Sequence, residues 1–140
     1  PLAVYLLAHK SLLKPQTAFW AALILALSPL GIISSILAIT DVGMILFWTL
    51  GCAVIAAGLS KKRSPDALLL GLCILCGALF KWPIYLLWPL VLMMMPFFPF
   101  IKSQKLILGF LVSLLGLLPS FLWNMQHDWV TLRHVAASIN

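Results

Sequence analysis

Few side chains in this chain can move a proton or hold a phosphate, and they gather in three places. The first is Asp41, one of only three acidic residues, set between the apolar strings SSILAIT and VGMILFW. A carboxylate there could accept a proton, orient a hydroxyl or help hold a cation. It could equally accept hydrogen bonds from the free amides at a helix start, a task open to Thr40 as well. The second is Lys81, whose ammonium could bind a phosphate or another anion. Its other reading is a snorkelling lysine that ends a short helix beside Trp82 and Pro83. The third is the string Trp123-Asn124-Met125-Gln126-His127-Asp128-Trp129. Indole faces stack on sugar rings, and Asn, Gln and Asp hydrogen-bond hydroxyls, so Asn124, His127 and Asp128 are candidates for sugar or acceptor contact. His127 and Asp128 could also shuttle protons. The alternative is an interfacial connector anchored by its two tryptophans. Arg133 and His134 follow closely. His127, Asp128 and His134 are zinc-ligand types, and His127 and His134 share a helix face, but no dense ligand pattern accompanies them, so no metal site is expected. Cys73-Ile-Leu-Cys76 has the C-x-x-C spacing, yet it lies inside an apolar run, where burial suppresses thiol reactivity and packing is the expected role.

The elements that must position these groups follow from composition. Of the 140 residues, 64% are hydrophobic and 9% charged, and the mean hydropathy is +1.14. A water-soluble domain carries about 25% charged residues. This chain cannot cover a soluble surface, which excludes an ordinary soluble enzyme, a disordered tail and a nucleic-acid-binding module. Its solvent must be a bilayer. The cysteines are three, all within apolar runs, and do not form a disulfide framework. The chain starts at Pro1 without a charged, cleavable leader, and is expected to be a piece of a longer protein.

A spanning helix needs about 20 apolar residues. Residues 17–39, with an internal Pro29, 42–59, 67–80, 84–99 and 106–123 are the candidates, and residues 1–8 read as the end of a sixth helix. The stretch 67–99 as one helix would be roughly 50 Å long, well beyond a hydrocarbon core of about 30 Å. Two spans turning at Lys81-Trp82-Pro83 fit better, and charge agrees. The loops 9–16, 60–66 and 100–105 then share one side and hold Lys10, Lys14, Lys61, Lys62, Arg63, Lys102 and Lys105, seven of the nine basic residues. The positive-inside rule makes that side cytoplasmic and puts Asp41, Lys81 and 124–140 outside. Trp20, Trp82, Trp123 and Trp129 fall near span ends, as aromatic belts do. Gly51 and Gly58, like Gly109 and Gly116, lie two helical turns apart and should let helices approach closely. The expected fold is an all-α, polytopic transmembrane segment of about five spans plus the end of a sixth.

A family resemblance adds to this reading. Ser28-Pro29 within a span, Thr40-Asp41 opening a span that reaches Phe47-Trp48, a basic loop, Gly71 through Gly77-Ala-Leu-Phe-Lys81, and Leu118-Pro119 running into Trp123-Asn124 and Gln126-His127-Asp128-Trp129 resemble the bacterial membrane glycosyltransferases related to dolichyl-phosphate-mannose protein mannosyltransferases. The resemblance implies a GT-C fold and transfer of a sugar from a polyprenyl-phosphate donor to an acceptor hydroxyl on the outer face, usually with inversion. The acceptor would be a glycan, a lipid or a protein, the setting a bacterial inner membrane with its active side outward, and no cofactor is implied because the lipid-linked sugar is a substrate. Such a reaction needs a base for the hydroxyl and positive charge for the leaving phosphate. By position, Asp41 resembles a supporting carboxylate and Lys81 a phosphate-binding lysine, with Arg133 as the other outer basic residue. Asn124, His127 and Asp128 match the exit motif.

The resemblance also implies that the principal catalytic acid lies in a first outer loop preceding Pro1, and that a carboxy-terminal outer domain follows. Residues 1–140 are therefore expected to form part of one transmembrane glycosyltransferase domain and to be inactive alone. The rival readings from the residues are a transporter or permease fragment and a structural helical module. A transporter predicts polar or broken helices at mid-membrane. Here Pro29 is a candidate break, but the charges lie at one surface.

Overall fold

The computed structural model describes residues 1–11, 13–36 and 40–139, which form helices joined by turns, with no strand among them. The order is α1 (Leu2–Lys10), α2 (Pro15–Leu27), α3 (Pro29–Ile36), α4 (Thr40–Ser60), α5 (Ala67–Ala78), a 3-10 turn (Trp82–Leu86) leading into α6 (Leu87–Met94), α7 (Lys105–Leu114), a 3-10 turn (Leu115–Leu117), α8 (Leu118–Gln126) and α9 (Val130–Ile139). Local sequence sets these boundaries. Pro15 and Pro29 occupy first helical positions, where a missing N–H costs nothing. Ser28 breaks the 17–39 stretch by capping α3: its Oγ accepts the Gly31 amide at 3.0 Å. The last three residues of that stretch, 37–39, lie outside the described residues. Asp66 caps α5 in the same way, accepting the Leu69 amide at 3.0 Å.

Two helices are long and apolar enough to cross a membrane, Thr40–Ser60 and the continuous run Lys105–Gln126. At 1.5 Å per residue each is about 32 Å long, matching a hydrocarbon core of about 30 Å. Pro15–Leu27, Ala67–Ala78 and Trp82–Met94 are apolar but shorter. The stretch 67–99 does not form one helix. Helix α5 stops at Ala78, and the chain turns through Leu79–Lys81 with the amides of Phe80 and Lys81 both donating to the Gly77 carbonyl at 3.0 Å. It then runs back. Ile84 meets Gly77, while Leu87 reaches Gly51 at the middle of α4.

Helices α4 and α5 are antiparallel, since Gly43 faces Phe80 at one end and Gly58 faces Pro65 at the other. Helices α5 and α7 are parallel: Gly109 lies against Ala67, and Gly116 against Leu75 and Ala78. At the α5–α7 crossing the backbones touch. A Cβ on Gly71 would stand 2.3 Å from the Gly109 carbonyl oxygen, and one on Gly109 would stand 2.1 Å from that of Ala67. Small residues permit this approach, and close packing replaces the hydrophobic drive that lipid cannot supply.

Leu70, Ile74, Ile84, Leu87, Val91 and Ile101 form the centre of the buried core. One polar group is threaded through it. Ser113 is fully buried, and its hydroxyl receives the Trp88 indole N–H at 3.1 Å while donating to the Phe110 carbonyl at 2.6 Å. The Tyr85 hydroxyl donates to the Ser113 carbonyl, so the returning segment is hydrogen-bonded to α7 at two points. Large apolar side chains such as Ile24, Leu92, Ile107 and Leu111 remain more than half exposed on the outside of the bundle, as a lipid-facing surface requires.

The basic loops converge on one end. Lys10 and Arg63 line one cavity there, and Arg63, Ser103 and Lys105 line another. Asp41 and Lys81 stand at the opposite end of the α4–α5 pair.

Candidate functional site at the Asp41–Lys81 end

The site is built by the seating of one ring. Phe80 lies directly on the α4 backbone at Gly43, where a Cβ would come within 2.4 Å of the ring, and it stacks on Phe47 with centroids 6.1 Å apart. The next residue, Lys81, is extended (φ −154°, ψ 138°) and precedes the Trp82–Leu86 turn. That combination delivers its ammonium to the first turn of α4, where Asp41 waits.

Lys81 Nζ and an Asp41 carboxylate oxygen form an ion pair, the one ion pair among the described residues. Asp41 lies within the first turn of α4, where a negative charge is favoured by the helix dipole. Residue 39, which would occupy the cap position before Thr40, lies outside the described residues. The two side chains retain 41% and 47% exposure for Lys81 and Asp41, so both heads remain reachable by a ligand. An ammonium has three donors, and one carboxylate does not exhaust them. The pair therefore presents a cation and a carboxylate side by side at a helix start, an arrangement able to neutralise a phosphate and to orient or deprotonate a hydroxyl.

The structure thus joins two residues that the sequence placed on the same side without pairing. Lys81 is not a lone snorkelling lysine. The available signal was modest: Gly43 and Phe80 each lie within two positions of a charged residue, and a glycine opposite an aromatic ring is how two helix ends come close.

The other candidates lie along the end of α8, the turn that follows it and the start of α9. Asn124 is buried, and its amide donates to the Ser120 carbonyl at 2.9 Å. Its own carbonyl receives the amides of His127 at 3.2 Å and Trp129 at 2.9 Å, which closes the turn. Asp128 and Trp129 both have positive φ, 51° and 57°, a backbone state that costs a non-glycine residue roughly 1–2 kcal/mol. His127 is exposed, stacks on Trp123 with centroids 4.2 Å apart and an interplanar angle of 11°, and its Nδ1 lies 2.8 Å from the Trp123 carbonyl oxygen. Trp129 packs edge-on against Phe121. Asp128, Arg133 and His134 are exposed. Asn124 therefore faces inward and fixes the turn, while the Trp123–His127 stack and Asp128 form its outward face. Among the described residues no three metal-ligating side chains come together. Cys73 is buried and Cys52 and Cys76 are partly buried, all as free thiols.

No curated protein and no solved structure matches this chain. A family model described as dolichyl-phosphate-mannose-protein mannosyltransferase matches residues 1–123. The match includes α4, α5, the Asp41–Lys81 pair and Trp123, and stops before Asn124, so the pair lies inside the family region and the Gln126–Trp129 string beyond it. Its members' class is the membrane glycosyltransferases, and the match spans most of the chain: this protein belongs to the dolichyl-phosphate-mannose-protein mannosyltransferase family.

Proposed function

We propose that the protein transfers a sugar from a polyprenyl-phosphate donor to an acceptor hydroxyl on the outer face of the membrane, with the Asp41–Lys81 end turned outward. One observation carries this reading: the sole ion pair among the described residues sits at the end of the bundle opposite the converging basic loops, within the region the family model matches. In the proposed step the acceptor oxygen attacks the anomeric carbon, the bond from that carbon to the phosphate oxygen breaks, and polyprenyl phosphate leaves. Inversion follows from attack opposite the leaving group. Lys81 neutralises the charge that develops on the phosphate. Asp41 supports the reaction by orienting the hydroxyl and Lys81, and the hydroxyl proton passes to a principal base other than Asp41. The aromatic face at Trp123 and His127, with Asp128, is the proposed contact for the sugar or acceptor. The five apolar stretches are read as five passes, the shorter helices crossing where the bilayer is locally thinned, in a bacterial inner membrane.

Sidedness is tested by labelling. Lys62→Cys and Gln126→Cys variants of the full-length protein should differ in intact cells: a membrane-impermeant maleimide should modify position 126 and spare position 62. Modification of 62 alone would reverse the orientation and place Lys81 on the wrong side for this reaction.

The phosphate assignment is tested by charge. Lys81→Gln should weaken use of the lipid-linked donor while leaving membrane insertion intact, and Lys81→Arg should keep more activity, because a phosphate accepts either cation. Arg133, the other basic residue of that side, is the control. If both Lys81 variants bind donor like wild type and Arg133→Gln does not, the phosphate site belongs to Arg133.

A further inference from the structure

The end of the bundle remote from Asp41 and Lys81 holds a slot of about 360 Å³ between α1, α4 and α5. Leu6, Ala53, Val54 and Leu69 make its walls apolar, and Lys10 and Arg63 stand at its mouth. The mouth is fixed by the end of α4. The amide of Lys62 donates to the Leu59 carbonyl and that of Arg63 to the Gly58 carbonyl, both at 3.0 Å, with Lys62 in the left-handed conformation at φ 49°. This is a Schellman closure. Gly58 lies under it: a Cβ there would be 3.0 Å or less from the backbone of Arg63 and Pro65. Arg63 is thus held over the slot by backbone geometry. Asp66 also lines the slot, but its carboxylate is engaged in capping α5. Neither Lys10 nor Arg63 has an ion pair among the described residues.

We propose that this slot binds an anionic phospholipid, with an acyl chain along α4 and the phosphodiester between Lys10 and Arg63. An apolar crevice between helices in a bilayer is filled by whatever the bilayer offers, which is a lipid tail. Two unpaired cations at its mouth select which lipid, because basic pockets between transmembrane helices bind acidic headgroups. The lining sorts accordingly, with apolar side chains along the helices and the cations where α1 and α4 end. The proposal needs only that α4 crosses the membrane and does not depend on the reaction assigned to the Asp41–Lys81 end.

Native mass spectrometry of the full-length protein, with phosphatidylglycerol and phosphatidylcholine of identical acyl chains, tests it. Wild type should retain phosphatidylglycerol about thirtyfold better than phosphatidylcholine, the preference expected of two cations at headgroup depth. Inorganic phosphate should not displace it, which separates a lipid from a bare anion site. The Lys10→Gln/Arg63→Gln variant should retain both lipids equally. Val54→Trp fills the slot without touching the charges and should lose retention of both, with unchanged helicity, thermal unfolding and monodispersity in detergent as its folding controls. Equal retention of the two lipids by wild type overturns the proposal, as does a phosphatidylglycerol preference that survives Lys10→Gln/Arg63→Gln. A photo-crosslinker at position 54 that captures another segment of the protein instead of lipid also overturns it.

Discussion

Asp41→Asn should lower sugar transfer by the full-length protein by about 10²–10³-fold, the loss typical of removing one preorganised electrostatic contact from a reacting centre. Asparagine keeps the shape and removes the charge. The cost to folding is small by comparison. A half-exposed ion pair contributes about 0–1 kcal/mol, and a carboxylate in the first turn of a helix roughly 0.3–1 kcal/mol. The effect on rate corresponds to about 2.7–4 kcal/mol, so activity and stability should separate clearly. Circular dichroism and monodispersity in detergent should match wild type while turnover falls. The exchange variant Asp41→Lys/Lys81→Asp sharpens the test. It rebuilds an ion pair between α4 and the α5 turn but reverses which side carries the cation, and it should fold and remain inactive. Wild-type transfer by either variant would make Asp41 a helix-end residue whose contact with Lys81 only ties two elements together.

Gly109→Val should unfold or disassemble the bundle. Any side chain at position 109 must enter the space of the Ala67 carbonyl, where a Cβ would stand 2.1 Å from the oxygen and 2.8 Å from the carbon. Those are backbone atoms in the first turn of α5, so no rotamer change relieves the clash and the helices must part. Separation also strains the Trp88–Ser113 hydrogen bond, which would leave a polar group unsatisfied in the core. Overpacking a core costs about 1–3 kcal/mol and sometimes more, and here the loss of the buried contact adds to it. Gly43→Ala is the instructive contrast. The atoms nearest its Cβ would be those of the Phe80 ring, which can swing aside, so it should cost less stability and disturb chiefly the Asp41–Lys81 pair. Thermal unfolding in detergent checks both: a Gly109→Val protein melting within a degree or two of wild type would mean that α5 and α7 do not cross at these glycines.

Much of this was legible because lipid imposes simple rules. Apolar run lengths located α4 and the Lys105–Gln126 helix, and the excess length of 67–99 showed that the chain must turn near Lys81. The basic loops were grouped by charge before their convergence was visible. The glycines were recognised as points of close approach, but periodicity names only a face of one helix. That Gly109 meets Ala67 and Gly71 is a fact about two helices, which local spacing does not carry. Ser113 was unreadable for the same reason, since a lone serine in an apolar run becomes meaningful only when the indole of Trp88 arrives beside it. The pairing of Lys81 is invisible locally because its partner, Asp41, lies forty positions earlier. In the Trp123–Trp129 string, residue types made Asn124, His127 and Asp128 equal candidates for contact, whereas helical winding turns Asn124 into the bundle and leaves Trp123, His127 and Asp128 outside.

The most direct measurement is a donor panel on the purified full-length protein in liposomes, offering polyprenyl-phosphate sugars and nucleotide sugars and following release of the carrier. A polyprenyl-phosphate sugar should be consumed with stoichiometric appearance of polyprenyl phosphate, and this turnover should fall sharply in Lys81→Gln. Consumption of nucleotide sugars with the lipid-linked donors left intact, or lipid-linked turnover indifferent to both Asp41 and Lys81, would contradict the assignment of this end of the bundle to sugar transfer.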